Sequence, residues 1–97
     1  MANDSTVKVE NNEGAQQFET TVDGHRGLLT YSESEGKLYL LHTEVAGELE
    51  GHGVGSALVR AAADHARERK LGLVPFCSFA RAWLDRHQEY ADLVTAT

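Results

Sequence analysis

The segment Glu50-Gly51-His52-Gly53-Val54-Gly55-Ser56 sets three glycines at alternate positions just ahead of a helical pattern. The first amides of a helix have no partner within it, and the helix dipole makes that end attractive to an anion. Glycines there let the backbone approach a phosphate closely. The spacing is not that of the dinucleotide fingerprint, and the Gly-Lys-Ser/Thr of a nucleotide-hydrolysing loop is missing, so nicotinamide binding and nucleotide hydrolysis both lose support. A loop whose glycines only turn the corner is the other reading. The single cysteine, Cys77, is a nucleophile if a neighbour lowers its pKa and a small buried hydrophobe if none does. Five histidines, at 25, 42, 52, 65 and 87, show no zinc-like spacing and have only that one cysteine beside them, which argues against a metal site.

These groups must be carried by a small chain. At 97 residues it has room for one domain, expected over residues 7–97 behind a polar, patternless tail at 1–6. With 41% hydrophobic and 25% charged residues it has the balance of an ordinary folded protein. The net charge of −6 would repel nucleic-acid backbones and anionic lipid, while it suits solubility and a cationic substrate such as an amine. One cysteine cannot form an internal disulfide, and the N-terminus shows no signal-like core, so a reducing cytoplasm is expected. No apolar run approaches the roughly 20 residues that span a bilayer, and no membrane partner is expected.

Alternation predicts half-buried strands over Val7 to Glu10 and around Phe18, Thr20 and Val22. Asp23-Gly24 and Glu35-Gly36 are turn signals, and between and after them Gly27 to Ser32 and Lys37 to Val45 read as two further strands. Past Gly47 the period becomes helical: Val54, Ala57, Leu58, Ala61, Ala62 and His65 share a face, with Arg60, Asp64, Arg67 and Glu68 opposite, and the helix should stop near Lys70. Leu71 to Phe79 reads as a strand that bends at Pro75, and Ala80, Trp83, Leu84 and His87 as a short amphipathic helix. Tyr90, Leu93 and Val94 can dock the terminus. The fold class is therefore α+β with α/β-like layers: an antiparallel meander, a helix, a parallel strand reached by a right-handed crossover, and a last helix.

In this order the residues resemble the GNAT superfamily of N-acetyltransferases. The glycine turn opening an amphipathic helix after a meander is similar to that superfamily's acyl-CoA pyrophosphate motif. His42-Thr43-Glu44-Val45, Val74-Pro75-Phe76-Cys77 and Arg86-His87-Gln88-Glu89-Tyr90 are similar to a short single-domain subgroup often called YjdJ-like, over about residues 7–94. The resemblance implies that the strand ending at His42 to Val45 splays from the next parallel strand, with the pantetheine of acetyl-CoA in the gap and its pyrophosphate on the amides of Gly51 to Ser56. Val45, Gly51, His52, Gly53, Val54, Gly55, Ser56 and Arg81 then become expected cofactor contacts. Cys77 becomes a catalytic candidate that takes the acetyl group or protonates the departing thiolate, and His42 or Glu44 would remove a proton from the amine. Glu50 stands where the family usually has Gln or Arg, and an inward carboxylate there would repel the cofactor. The expected activity is acetyl transfer from acetyl-CoA to a small-molecule or protein amine, by a monomer or weak dimer. A CoA-binding module without efficient catalysis, or a thiol enzyme without CoA, are the other readings.

Overall fold

In the computed structural model, which describes residues 7–95, the chain runs β1 (Glu10–Asn12), β2 (Gln17–Val22), β3 (His25–Ser34), β4 (Lys37–Val45), α1 (Val54–Arg69), β5 (Gly72–Pro75) and α2 (Ser78–Asp85). Short 3-10 turns at Gly47–Leu49 and Gln88–Leu93 precede α1 and follow α2. The expected tail at 1–6 lies outside the described residues. The five strands form one sheet in chain order, antiparallel from β1 to β4, with β5 parallel to β4. The two long hairpins turn where the sequence demands it. Asp23 and Gly24 have φ of 52° and 81°, and Glu35 and Gly36 of 53° and 77°, the paired positive values of a two-residue turn that matches strand twist.

The first strand departs from expectation. Val7 and Val9 pack against the core, but the ladder to β2 begins only at Glu10, and the stretch before it is held by the Thr20 hydroxyl donating to Lys8 O at 2.6 Å. Burial of alternate side chains does not by itself make a ladder. The strand expected over Leu71 to Phe79 also shortens to Gly72–Pro75. Pro75 cannot donate to a further neighbour, and the chain leaves the sheet after it.

Helix α1 lies across β2, β3 and β4. Its buried face is rich in alanine (57, 62, 63 and 66) with Val54, Leu58 and Val59, and these meet Phe18, Leu29, Leu38 and Leu40 from the sheet. Small side chains bring the helix close to the strands. Closest is Gly27 on β3, where a Cβ would sit 2.8 Å from a methyl of Val54. The helix ends with Lys70 in the left-handed region, its amide on Ala66 O and Arg67 O, so the chain reverses into β5. The outer edge of β5 is closed by the terminal segment, with Thr95 N donating to Leu73 O at 2.8 Å.

One irregularity decides what β4 presents. Its register against β3 shifts between Thr30, opposite His42, and Tyr31, opposite Leu40, so Leu41 is an extra residue. Such a bulge re-aims every side chain beyond it. Leu38 and Leu40 are buried before it; after it Thr43 and Val45 turn inward, and His42 and Glu44 are exposed.

Candidate active site

The bulge lies where β4 and β5 part. Their ladder ends at the pair Leu40 and Pro75, and Leu40 O then accepts from the amides of both Phe76 and Cys77 at 3.0 Å. Beyond that point β4 continues to Val45 while the other chain turns into α2. Ala46 N donates to Arg26 O at 3.0 Å, which fixes the alternation of this half of β4. The amides of Thr43 and Val45 therefore face away from β3, into the gap.

The gap opens into a cleft of about 690 Å³ walled by Thr43 and Val45, the glycine turn, the first turn of α1, and Phe79, Trp83, Arg86 and His87. Gly51 and Gly53 hold φ of 83° and 77°, conformations costly to any residue with a Cβ. Gly53 is the N-cap of α1 and offers no side chain to it, and the first helical bond closes at Ala57 N to Gly53 O. The amides of Val54, Gly55 and Ser56, ahead of that bond, are thus left as donors at the wall of the cleft.

Cys77 is the N-cap of α2 and lies one contact behind the cleft wall, its Sγ 3.3 Å from Thr43 Oγ1. Burial pushes the thiol up. The Thr43 hydroxyl, the first-turn amides of Phe79 and Ala80, and the Thr43 amide all favour the thiolate and outweigh burial, so the thiol lies below its ordinary value. Because those donors stabilise the deprotonated form, the thiolate forms at lower pH than in a free thiol. Alkylation of the native protein by iodoacetamide, followed against pH, should therefore show a midpoint below that of free cysteine. Thr43→Val should move the midpoint up, and an unmoved midpoint would show that Thr43 does not tune the sulfur.

The arrangement of a cleft between parted parallel strands beside a glycine-opened helix has a counterpart in the sequence comparison. Residues 17–93 fit the family model of GCN5-related N-acetyltransferases. The chain belongs to that family. The solution structure of a GCN5-like candidate N-acetyltransferase from Staphylococcus aureus is 30% identical, superposes with a TM-score of 0.70, and is matched over 96% of this chain and 92% of its own. A crystal structure of nourseothricin acetyltransferase is 26% identical over 69% of this chain and 55% of its own, with a TM-score of 0.47 that carries no weight for the fold.

Within this acetyltransferase the expected site residues fall in four places. Val45, Gly51, Gly53, Val54, Gly55 and Ser56 line the cleft, with Cys77 behind Thr43. His52 is exposed on the turn, its amide on Leu49 O at 3.1 Å, outside the cleft wall. Arg81 stands away from the cleft: its guanidinium donates to Pro75 O at 3.0 Å and borders a separate groove on another face of α2. His42 and Glu44 lie on the outer face of the sheet, 3.4 Å from each other, and Glu44 edges a depression that shares Thr43 and Val45 with the cleft. Glu50, whose orientation the sequence left open, borders the cleft. Thr43, Phe79 and Trp83 were not singled out for this site. The spacing of Phe79, Trp83 and His87 at every fourth residue was the available signal.

Proposed function

We propose that this acetyltransferase moves an acetyl group from acetyl-CoA to a primary amine. The observation that carries the reading is the parting of β4 from β5 directly beside an uncapped, glycine-opened helix, so that one cleft offers in-line strand amides and a cluster of helix amides. The cluster at Gly53 to Ser56 suits a pyrophosphate, and the amide of Val45 suits the amide-bearing pantetheine arm, the Thr43 amide being turned on the Cys77 sulfur. The left-handed Gly51 and Gly53 add no side chains of their own to this wall, which fits a bulky anion at the helix end. Bound acetyl-CoA supplies an acyl group activated as a thioester.

The chain's own residues would then manage orientation and protons. A strand amide at the gap is placed to hydrogen-bond an acyl oxygen and stabilise charge on it. Cys77 Sγ, held below the ordinary thiol range and 3.3 Å from the Thr43 hydroxyl at the cleft wall, can pass a proton through that hydroxyl to a departing thiolate of ordinary basicity. Glu44 edges a depression that shares Thr43 and Val45 with the cleft, His42 lies 3.4 Å from it on the outer face of the sheet, and with the net charge of −6 drawing a cationic amine toward the protein either can take the proton that the amine must lose. Glu50 at the cleft supports a second reading, a CoA-binding module with little turnover, because a carboxylate there works against a phosphate.

Calorimetric titration with CoA and acetyl-CoA tests the proposal. Saturable binding is expected, weakened about tenfold or more by Gly53→Ala/Gly55→Ala, because alanine is strained at the φ of 77° at Gly53 and because a Cβ at Gly55 would lie 2.7 Å from the Phe79 ring. Absence of binding at millimolar ligand would sink the acyl-CoA reading. Binding without transfer to any of a panel of amines would favour the module.

A further inference from the structure

Ser56, the third residue of α1, contributes more to the cleft wall than its amide. The indole Nε1–H of Trp83 donates to Ser56 Oγ at 2.6 Å. An indole N–H can only donate, so Ser56 Oγ must be the acceptor in this contact, and its own hydrogen has to point elsewhere. Among the described residues no acceptor takes it. A serine in a first helical turn would otherwise be free to rotate and bond to the backbone of the preceding turn. Here the indole N–H takes one lone-pair direction of Ser56 Oγ, so the hydroxyl hydrogen is confined to the remaining directions, of which the cleft is one.

Trp83 is itself firmly held. It is 3% exposed, the His87 ring stacks on it at 3.6 Å and 8°, and the Arg60 guanidinium lies 5.1 Å from its centroid. His87 is tied back in turn, with Nδ1 2.7 Å from Trp83 O; a carbonyl only accepts, so Nδ1 carries the hydrogen. The direction of the indole N–H is therefore set by α2 and the turn after it rather than by the cleft contents.

We propose that Trp83 is a positioning residue for the phosphate end of the acyl donor. By occupying Ser56 Oγ as an acceptor it commits the Ser56 hydroxyl hydrogen to the cleft, where hydroxyl and amide of the same residue form a two-donor seat for one phosphate oxygen group. Trp83 thereby sets discrimination between a phosphorylated acyl donor and one that ends at pantetheine. This rests on the acetyl-CoA reading above and adds to it a residue that never touches the ligand's reacting atoms.

The test compares acetyl-CoA with S-acetylpantetheine, which carries the same thioester and no phosphate. Trp83→Phe keeps a ring and removes the N–H. It should weaken acetyl-CoA binding about tenfold, seen in KM and in calorimetric Kd, while leaving kcat and the KM for S-acetylpantetheine unchanged. Ser56→Ala should do the same, and the double variant should be no worse than either single one. Should Trp83→Phe fail to fold, benzothienylalanine at position 83 keeps the indole shape without the N–H and answers the same question. Additive losses in the double variant, or equal losses for the two donors, would overturn the assignment and leave Trp83 as a packing residue. Failure of the unsubstituted protein to bind CoA at all would instead remove the underlying reading.

Discussion

Cys77→Ala is expected to lower kcat for acetyl transfer by about 10²-fold or more while the Kd for acetyl-CoA stays within about twofold, the span that positioned acid catalysis typically contributes. The separation follows from where the sulfur lies. Cys77 is behind Thr43 and does not line the cleft, so its loss removes no contact from the cofactor seat. What is lost is a thiol surrounded by donors at the point where the strands part. Two roles can be told apart in the native protein. If Cys77 only gives a proton, rapid mixing with acetyl-CoA leaves the protein mass unchanged. If the sulfur takes the acyl group, the C–S bond to CoA breaks, one to Sγ forms, CoA leaves with a proton, and acetylated protein appears before amine is added. A kcat unchanged by Cys77→Ala would take the thiol out of the reaction in either form.

Gly27→Ala is expected to damage stability and cofactor binding together. The added methyl would lie 2.8 Å from Val54 Cγ1, 3.4 Å from Leu58 Cδ1 and 3.5 Å from Thr20 Cγ2. Val54 and Leu58 are fully packed, so the methyl must be accommodated by moving α1 off the sheet. Overpacking of this kind costs about 1–3 kcal/mol. In a domain of this size each kcal/mol lowers Tm by roughly 4–8 °C. The displaced end of the helix is the one that presents its amides to the cleft, since Val54 is the first residue of α1. Urea unfolding and CoA titration on the same preparation check the coupling. A loss of stability with unaltered affinity would show that the glycine turn keeps its geometry independently of the helix seat.

Much of this architecture was readable because its determinants are local. Asp23-Gly24 and Glu35-Gly36 define the hairpins through backbone angles that few other pairs adopt cheaply. The alanine-rich period of α1 and its stop at Lys70 follow from a single amphipathic face and one left-handed residue. What strict alternation could not reveal is the extra residue at Leu41. Counted in twos from Leu38 and Leu40, His42 and Glu44 belong inside; with the bulge, Thr43 and Val45 do. A bulge depends on pairing with another strand and leaves no fixed mark in its own. Thr43 therefore had no sequence signal as the partner of Cys77. Arg81 illustrates a second limit: a cation near an expected anion site looks like a ligand contact until a backbone carbonyl, here Pro75 O, is found to hold it. The parting of β4 from β5 was legible only through the family resemblance, because it arises jointly from the bulge in one strand and the proline ending the other.

The stacked ring described above also gives the molecule an optical property. Trp83 is the one tryptophan in the chain. Its indole lines the cleft and bonds to Ser56, and its ring lies flat against the His87 imidazole. Excited beyond the absorption of its three tyrosines, the protein therefore emits from a single point on the wall of its own cleft. Occupancy of that cleft can be followed without a label, an added chromophore or a coupled assay.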